Sequence, residues 1–265
     1  MTLTATIQQK TGAAPWCAGF ASDAASGWPG TDWVEDMVLR LSGPDVYDQW
    51  VANEVKFTDA PIKEAFEATG KILLNPSYVN AGFGDVKSIN SVAFADVAAK
   101  VADGSCPMTH QASFLSSNFL TVKNASGGDV KVAPDGDVYA FLLPGVTEGK
   151  LAVEGGGEFV TTFSDDANVQ KVAEFMSTPD FANARVKLGG VISANKGADP
   201  SLASSEFLQE AMKVVQDPNT TLRFDASDLM PATVGSGSFW KGMVSWIDGT
   251  PTDQVLSDIQ TGYNN

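Results

Sequence analysis

Apolar and polar positions fall into two kinds of stretch along this chain. From Asp32, the residues Trp33, Val34, Met37, Val38 and Leu41 return every three or four positions to one helical face, with Asp32 placed as N-cap and Glu35 three residues on. "DAPIKEAFEATGKIL" sets Ile62, Ala65, Phe66 and Thr69 on a second stripe behind an N-terminal proline. "INSVAFADVAAKVADG" stops at Gly104, as a helix should. "DANVQKVAEFMSTPDFANARVKLGG" predicts a helix, a proline-marked break, a second helix and a Gly-Gly stop. "SSEFLQEAMKVVQD" and "TPTDQVLSDIQTGY" predict two more amphipathic helices, and the N-terminal residues a short one ending near Gly12. Strand candidates are shorter: "APWCAGFA" (14–21), "PMTHQASFL" (107–115), "DVYAFLLP" (137–144) and "EFVTTF" (158–163). Strands interspersed with helices indicate an α/β fold.

The turn "SGWPGTDW" (26–33) holds two tryptophans across a Pro-Gly pair. An indole in a loop exposes a large apolar surface unless something covers it. Trp33 has a partner in the helix that it begins. Trp28 either joins the core or forms a wall for a ligand.

Composition narrows the function. With 265 residues and 43% hydrophobic content the chain can bury a sizeable core, as one large domain or two ordinary ones. No run of about twenty apolar residues is present, so no segment predicts a membrane span, and the first residues do not have the form of a secretory signal. The 17 Lys and Arg against 32 Asp and Glu give a net charge of −15, which repels phosphate backbones and anionic lipid. Nucleic acid and membrane surfaces are therefore poor partners. Cys17 and Cys106 are compatible either with two buried thiols or with one disulfide in an oxidising compartment. With His110 they make only three soft metal ligands, too few for a zinc site, and no metal or cofactor is expected.

Catalytic motifs are missing. His110 is the one histidine, and neither a G-x-S-x-G elbow nor a phosphate loop, a dinucleotide fingerprint, an H-E-x-x-H pair or a calcium loop occurs. "APDGDV" reads as a turn. A pair of carboxylates for glycoside hydrolysis stays open, since only geometry identifies such a pair.

What remains is a set of polar and aromatic loops at strand ends, where α/β proteins bind small molecules. Trp28 follows one strand candidate, and His110 and Gln111 fall within another. Gly155, Gly156 and Gly157 would let a backbone approach a ligand, or form only a hinge. "DLMPATVGSGSFW" brings Met230 and Trp240 beside a Gly/Ser-rich turn, although residue type alone favours core for Trp240. Ring faces and sparse hydrogen-bonding groups suit a neutral polyhydroxylated ligand.

Four stretches in order, "APWCAGFASDAASGWPGTDWVEDMVLRLSGPDVYDQWV", "CPMTHQASFL", "EGGGEF" and "RFDASDLMPATVGSGSFWKGMV", resemble the family 1 extracellular solute-binding proteins of bacterial ABC importers. The likeness is to the maltose-binding type, nearest its α-glucoside or trehalose branch, and runs along the whole chain. It implies a periplasmic-binding-protein type II-like fold, in which two α/β lobes joined by crossing strands close on a sugar without chemistry. It further implies that Trp28 is an aromatic wall of the cleft with Ser22 and Asp23 beside it. His110 and Gln111 fall at a cleft-facing strand end, Trp240 stacks on a sugar ring near Met230, and Gly155 to Gly157 lie on the hinge side. Cys17 and Cys106 are expected to pair on neighbouring strands of one lobe. Small carbohydrates and, through the intact parent, the membrane permease are the implied partners, outside the cytoplasm, with a monomeric chain.

Set against the family, residues 1–152 and 213–265 correspond to a nearly complete C-terminal lobe, and 153–212 to a partial N-terminal lobe. The expectation is a fragment starting just ahead of "APWC", with apolar faces of 169–190 partly exposed. The alternative reading is a glycosidase with paired carboxylates.

Overall fold

Gly27 reverses the chain into its longest helix. Its φ of 105° lies in the left-handed region, open to glycine at little cost, and Pro29 follows in the first turn where a missing N–H is harmless. The computed structural model describes residues 1–143 and 152–264. In it α1 (Thr2–Thr11) ends on Gly12 at φ 71°, as the sequence predicts, and α2 runs over Trp28–Val51. Asp32 is therefore inside α2 and is not its cap, because the Gly-Trp-Pro turn starts the helix a full turn earlier. Leu41 is exposed, since α2 breaks at Gly43 (φ 82°) ahead of Pro44, whose ring disfavours a helical residue before it.

The predicted stripe of α3 (Ala60–Leu73) holds, with Ile62, Ala65, Phe66 and Thr69 all buried. The helix predicted over 89–104 shrinks to α4 (Val97–Ala102), because Ala93 leaves it to bridge Ala21. A short α5 (Leu115–Asn118) follows. Next come α6 (Ala167–Met176), α7 (Pro179–Lys187) and α8 (Glu206–Gln216). Asp166, Thr178 and Ser205 accept hydrogen bonds from their first-turn amides, and Gly189 and Gly190 stop the pair in the left-handed region. The chain closes with α9 (Ala226–Leu229), a π-helical stretch (Thr233–Phe239), α10 (Trp240–Ile247) and α11 (Thr252–Thr261).

Strands are where pattern and structure diverge. Residues 14–21 and 107–115 contribute isolated bridges, Trp16 to Val79 and Met108, and Ala21 to Ala93. Val138 bridges Val132, while position 144, at the end of that candidate, lies outside the described residues, as do 145–151 of the following loop. Residues 158–163 are exposed and form no strand. The ladder forms instead between β1 (Ala152–Gly155) and β2 (Thr221–Phe224), parallel and in register from Ala152–Thr221 to Gly155–Phe224. These four-residue strands carry too little alternation to stand out in sequence.

Apolar side chains gather in three clusters. The main core joins α2, α3, α10 and α11 through Trp50, Phe57, Phe66, Phe239 and Trp246, with Trp50, Phe57 and Phe239 meeting edge to face at 5.0–5.7 Å. A second surrounds the Cys17–Cys106 disulfide, whose Cα atoms are 5.9 Å apart, with Val97, Leu115 and Phe119. The third, Ala182, Val186, Ala198, Leu208 and Met212, belongs to α7, α8 and their connection. Outside these clusters, Phe159, Phe163 and Leu188 are 76–95% exposed. No helix among the described residues is long and apolar enough to cross a membrane.

Candidate functional site

The N-terminus of α2 and the start of α10 meet without a side chain between them. A Cβ on Gly27 would lie 2.2 Å from the Trp240 carbonyl oxygen, so only glycine allows the contact. Gly235, in the π-helical turn before Trp240, is equally tight against the Ser227 carbonyl. That turn replaces regular helix at a tightly packed approach, a common device at binding sites. Trp28 and Trp240 thereby flank one helix junction, both half-buried. The Trp28 ring lies edge-on to Phe94 at 5.2 Å and tilted to Phe114 at 5.9 Å. Trp240 has its Nε1 shielded from solvent with no hydrogen-bond partner. Trp33, by contrast, is 5% exposed and packs on Trp16 at 5.2 Å.

Around this pair the sequence candidates divide. Ser22 and Asp23 sit in the turn before Trp28, where the Ser22 amide donates to Ser26 Oγ and Asp23 is exposed at φ 48°. A shallow hollow of about 450 Å³ opens beside them, lined by Ala24, Ser26, Lys241, Val244, Ser245 and Asp248; neither indole lines it. Met230 is buried in the main core. Gly155 ends β1 and its carbonyl accepts from the Asp225 amide at 3.1 Å, while Gly156 is exposed and Gly157 lies against Phe224. Gln111 is half-buried next to His110.

His110 faces inward. Its Nε2–H donates to Asp36 Oδ2 at 2.9 Å, and its ring lies 4.7 Å from that of Trp33. Asp36 also pairs with Arg40 at 3.0 Å, and both side chains are more than 90% buried. Burial pushes the Asp36 carboxyl up, but the His110 hydrogen bond and charge and the Arg40 guanidinium outweigh it and hold the group below the usual carboxylate range.

A group of acids beneath α2 was not singled out from the sequence. Glu35, fully buried, accepts from the Ala226 and Ser227 amides at 2.7 and 3.2 Å, capping α9 across 191 residues of chain. Tyr47 Oη donates to the Phe224 carbonyl at 3.0 Å and lies 3.4 Å from Glu35. Asp32, Glu154 and Asp225 each offer a carboxylate oxygen, all within 4.8 Å of one another. Burial and then the neighbouring carboxylates raise Asp32, Glu35 and Glu154 well above the ordinary range. The spacing of Asp32, Glu35 and Asp36 at i, i+3 and i+4 was the available signal, since it puts all three on one side of a helix whose Trp33 and Val34 are buried.

Comparison with known proteins follows this geometry. No family model matches the chain. It is 32% identical over 258 residues to the alpha-glucosides-binding periplasmic protein AglE of Rhizobium meliloti (strain 1021), covering 96% of this chain and 54% of that protein. It is 32% identical over 255 residues to the osmoprotective compounds-binding protein GgtB of Synechocystis sp. (strain ATCC 27184 / PCC 6803 / Kazusa), covering 95% and 57%. The chain thus spans about half the length of the curated relatives it matches. Among solved structures, the bacterial solute receptor AcbH superposes with a TM-score of 0.72 at 16% identity, over 99% of this chain and 63% of that one. A chitin oligosaccharide binding protein superposes at 0.71 and 16% identity, over 98% and 62%. At those identities the superpositions establish a shared fold, the periplasmic-binding-protein type. Along the length it spans, the chain is similar in sequence to these two binding proteins and shares the fold of the solved receptors.

Proposed function

We propose that this chain forms part of a non-catalytic sugar receptor of a bacterial importer, with an α-glucoside or another small oligosaccharide as ligand. The observation that carries the proposal is the backbone contact of Gly27 with Trp240, which brings together the two segments that carry the half-buried indoles Trp28 and Trp240. Indole faces cover the C–H surface of a pyranose, and the Ser22–Asp23 turn supplies polar groups for hydroxyls. His110 and Gln111 would stand behind this wall, and Met230 would back the Trp240 turn from the core.

The lobe division supports the same reading. We take residues 1–152 and 213–265 as one lobe, sharing the main core, and 153–212 as part of the other, carrying the separate cluster of Ala182, Val186, Leu208 and Met212. In that arrangement β1, β2 and the Gly155–Gly157 run are the crossing, and closure of the two lobes on sugar signals the membrane permease. The parent works outside the cytoplasm, in keeping with the periplasmic relative AglE and with the Cys17–Cys106 disulfide.

A glycosidase is the competing reading. The clustered carboxylates are its natural candidates, and one oxygen of each of Asp32 and Glu154 is sealed from solvent. Calorimetric titration with a disaccharide panel, followed by chromatography of the mixture, separates the two. Binding heat with intact sugar supports the receptor. Released monosaccharide, or no binding to any sugar by protein that includes both lobes, contradicts it.

A further inference from the structure

We propose that Asp32, Glu154 and Asp225 form a binding site for one divalent cation of the calcium class, clamping the crossing strands to α2. This goes beyond sugar recognition and does not depend on it. The three residues come from different elements: Asp32 from the second turn of α2, Glu154 from β1, and Asp225 from the junction of β2 with α9. Each presents an oxygen within 4.8 Å of the other two, so a single ion at about 2.4 Å reaches all three.

The independent pointer is two orphaned atoms. Asp32 Oδ1 and Glu154 Oε2 are both sealed from solvent and accept no hydrogen bond among the described residues. Buried carboxylate oxygens are normally paired, because leaving them bare costs several kcal/mol. The neighbouring acids are already satisfied. Glu35 takes two amides of α9 and faces the Tyr47 hydroxyl, and Asp36 pairs with Arg40 and His110; of the three ligands, Asp225 alone is already engaged, its Oδ1 accepting from Ser227 Oγ and the Asp228 amide. Arg223 turns outward to Asp48, with hydrogen bonds at 2.6 and 2.8 Å. Among the described residues no lysine or arginine forms an ion pair with Asp32, Glu154 or Asp225.

The donor set selects the ion. Carboxylate oxygens alone are hard ligands that suit calcium, magnesium or manganese, whereas zinc and copper favour sites with sulfur or imidazole. Donors from three elements brought together only by folding favour calcium, which accepts irregular oxygen shells, over magnesium, which demands a near-ideal octahedron.

The test uses the whole 265-residue chain dialysed against chelator and titrated with calcium chloride, by calorimetry and by thermal melting. The expected result is one ion per chain with a dissociation constant in the micromolar range, and a melting midpoint that rises with calcium. Glu154→Gln and Asp32→Asn should each weaken binding at least about tenfold and abolish the calcium-dependent rise. If the chelated chain is loosened, calcium should restore its helical circular dichroism. A wild-type chain that shows no heat, no rise in midpoint and no gain of helical signal at about 1 mM calcium overturns the proposal. So does equal calcium binding by both variants, and either result leaves the sugar titration above untouched.

Discussion

The α-carbon of Gly27 rests against the carbonyl of Trp240, at a distance where any side chain would collide with the peptide of the facing helix. This contact sets how α2 meets α10, and with it the separation of the two indoles. Gly27→Ala combines a disallowed φ of 105° with a Cβ that has no room, so it should destabilise the chain by at least about 2 kcal/mol in chemical denaturation. An alanine variant with wild-type stability would show that the junction yields freely.

Asp36 and the acids beneath it should respond to pH in opposite directions. The Asp36 carboxyl is held below its ordinary range, so its contribution is complete above about pH 4 and is lost as pH falls through its folded-state value. Asp36→Asn should cost about 3–5 kcal/mol at neutral pH, because Arg40 would stay buried without its partner. Asp32, Glu35 and Glu154 are raised, so each favours the folded state while protonated and withdraws that support as pH climbs above about 4. In chelator, stability should therefore fall from pH 5 towards pH 8, and Glu154→Gln should flatten that fall. Denaturation series across this range check both signs.

The disulfide closes a long loop, with its cysteines 89 positions apart. In the chain-entropy model such a bridge contributes about 4 kcal/mol through the unfolded state. Mass spectrometry of protein made in an oxidising compartment should show a two-hydrogen deficit, and reduction should lower the denaturation midpoint by a corresponding amount. Two alkylatable thiols before reduction would contradict the bridge.

Phe163 is 95% exposed and Phe159 76% exposed, and Leu188 is exposed as well. Exposed aromatics in such number form a patch that associates unless covered. The isolated chain should bind hydrophobic dyes and sediment as oligomers at high concentration. Phe163→Ser should reduce both without changing stability by more than about 0.5 kcal/mol. A large loss of stability would show that this ring packs in solution.

Helices were legible because their signals are local. Asp59 and Pro61 open α3, Gly12 closes α1, and Gly189 with Gly190 closes α7. The start of α2 was misplaced, since Asp32 has the chemistry of a cap but a Gly-Trp-Pro turn four residues earlier begins the helix. Strands were poorly legible because their partners are remote. β1 pairs with β2 across about seventy residues, and the runs at 14–21 and 107–115 find only single bridges. The aromatic candidates Trp28 and Trp240 stood out as bulky residues beside glycine. The buried acids did not, because each looks like an ordinary solvated carboxylate until Glu35 is seen capping a helix nearly two hundred residues on.

Trp240→Ala should weaken sugar binding by about 2 kcal/mol or more, the loss of a stacked ring, while the circular dichroism spectrum is kept. The most direct measurement is a structure of the protein with an α-linked disaccharide. The account predicts a pyranose ring against the indole of Trp240 with Trp28 on the same cleft wall. A disaccharide bound elsewhere, with both indoles closed off by side chains, would contradict it.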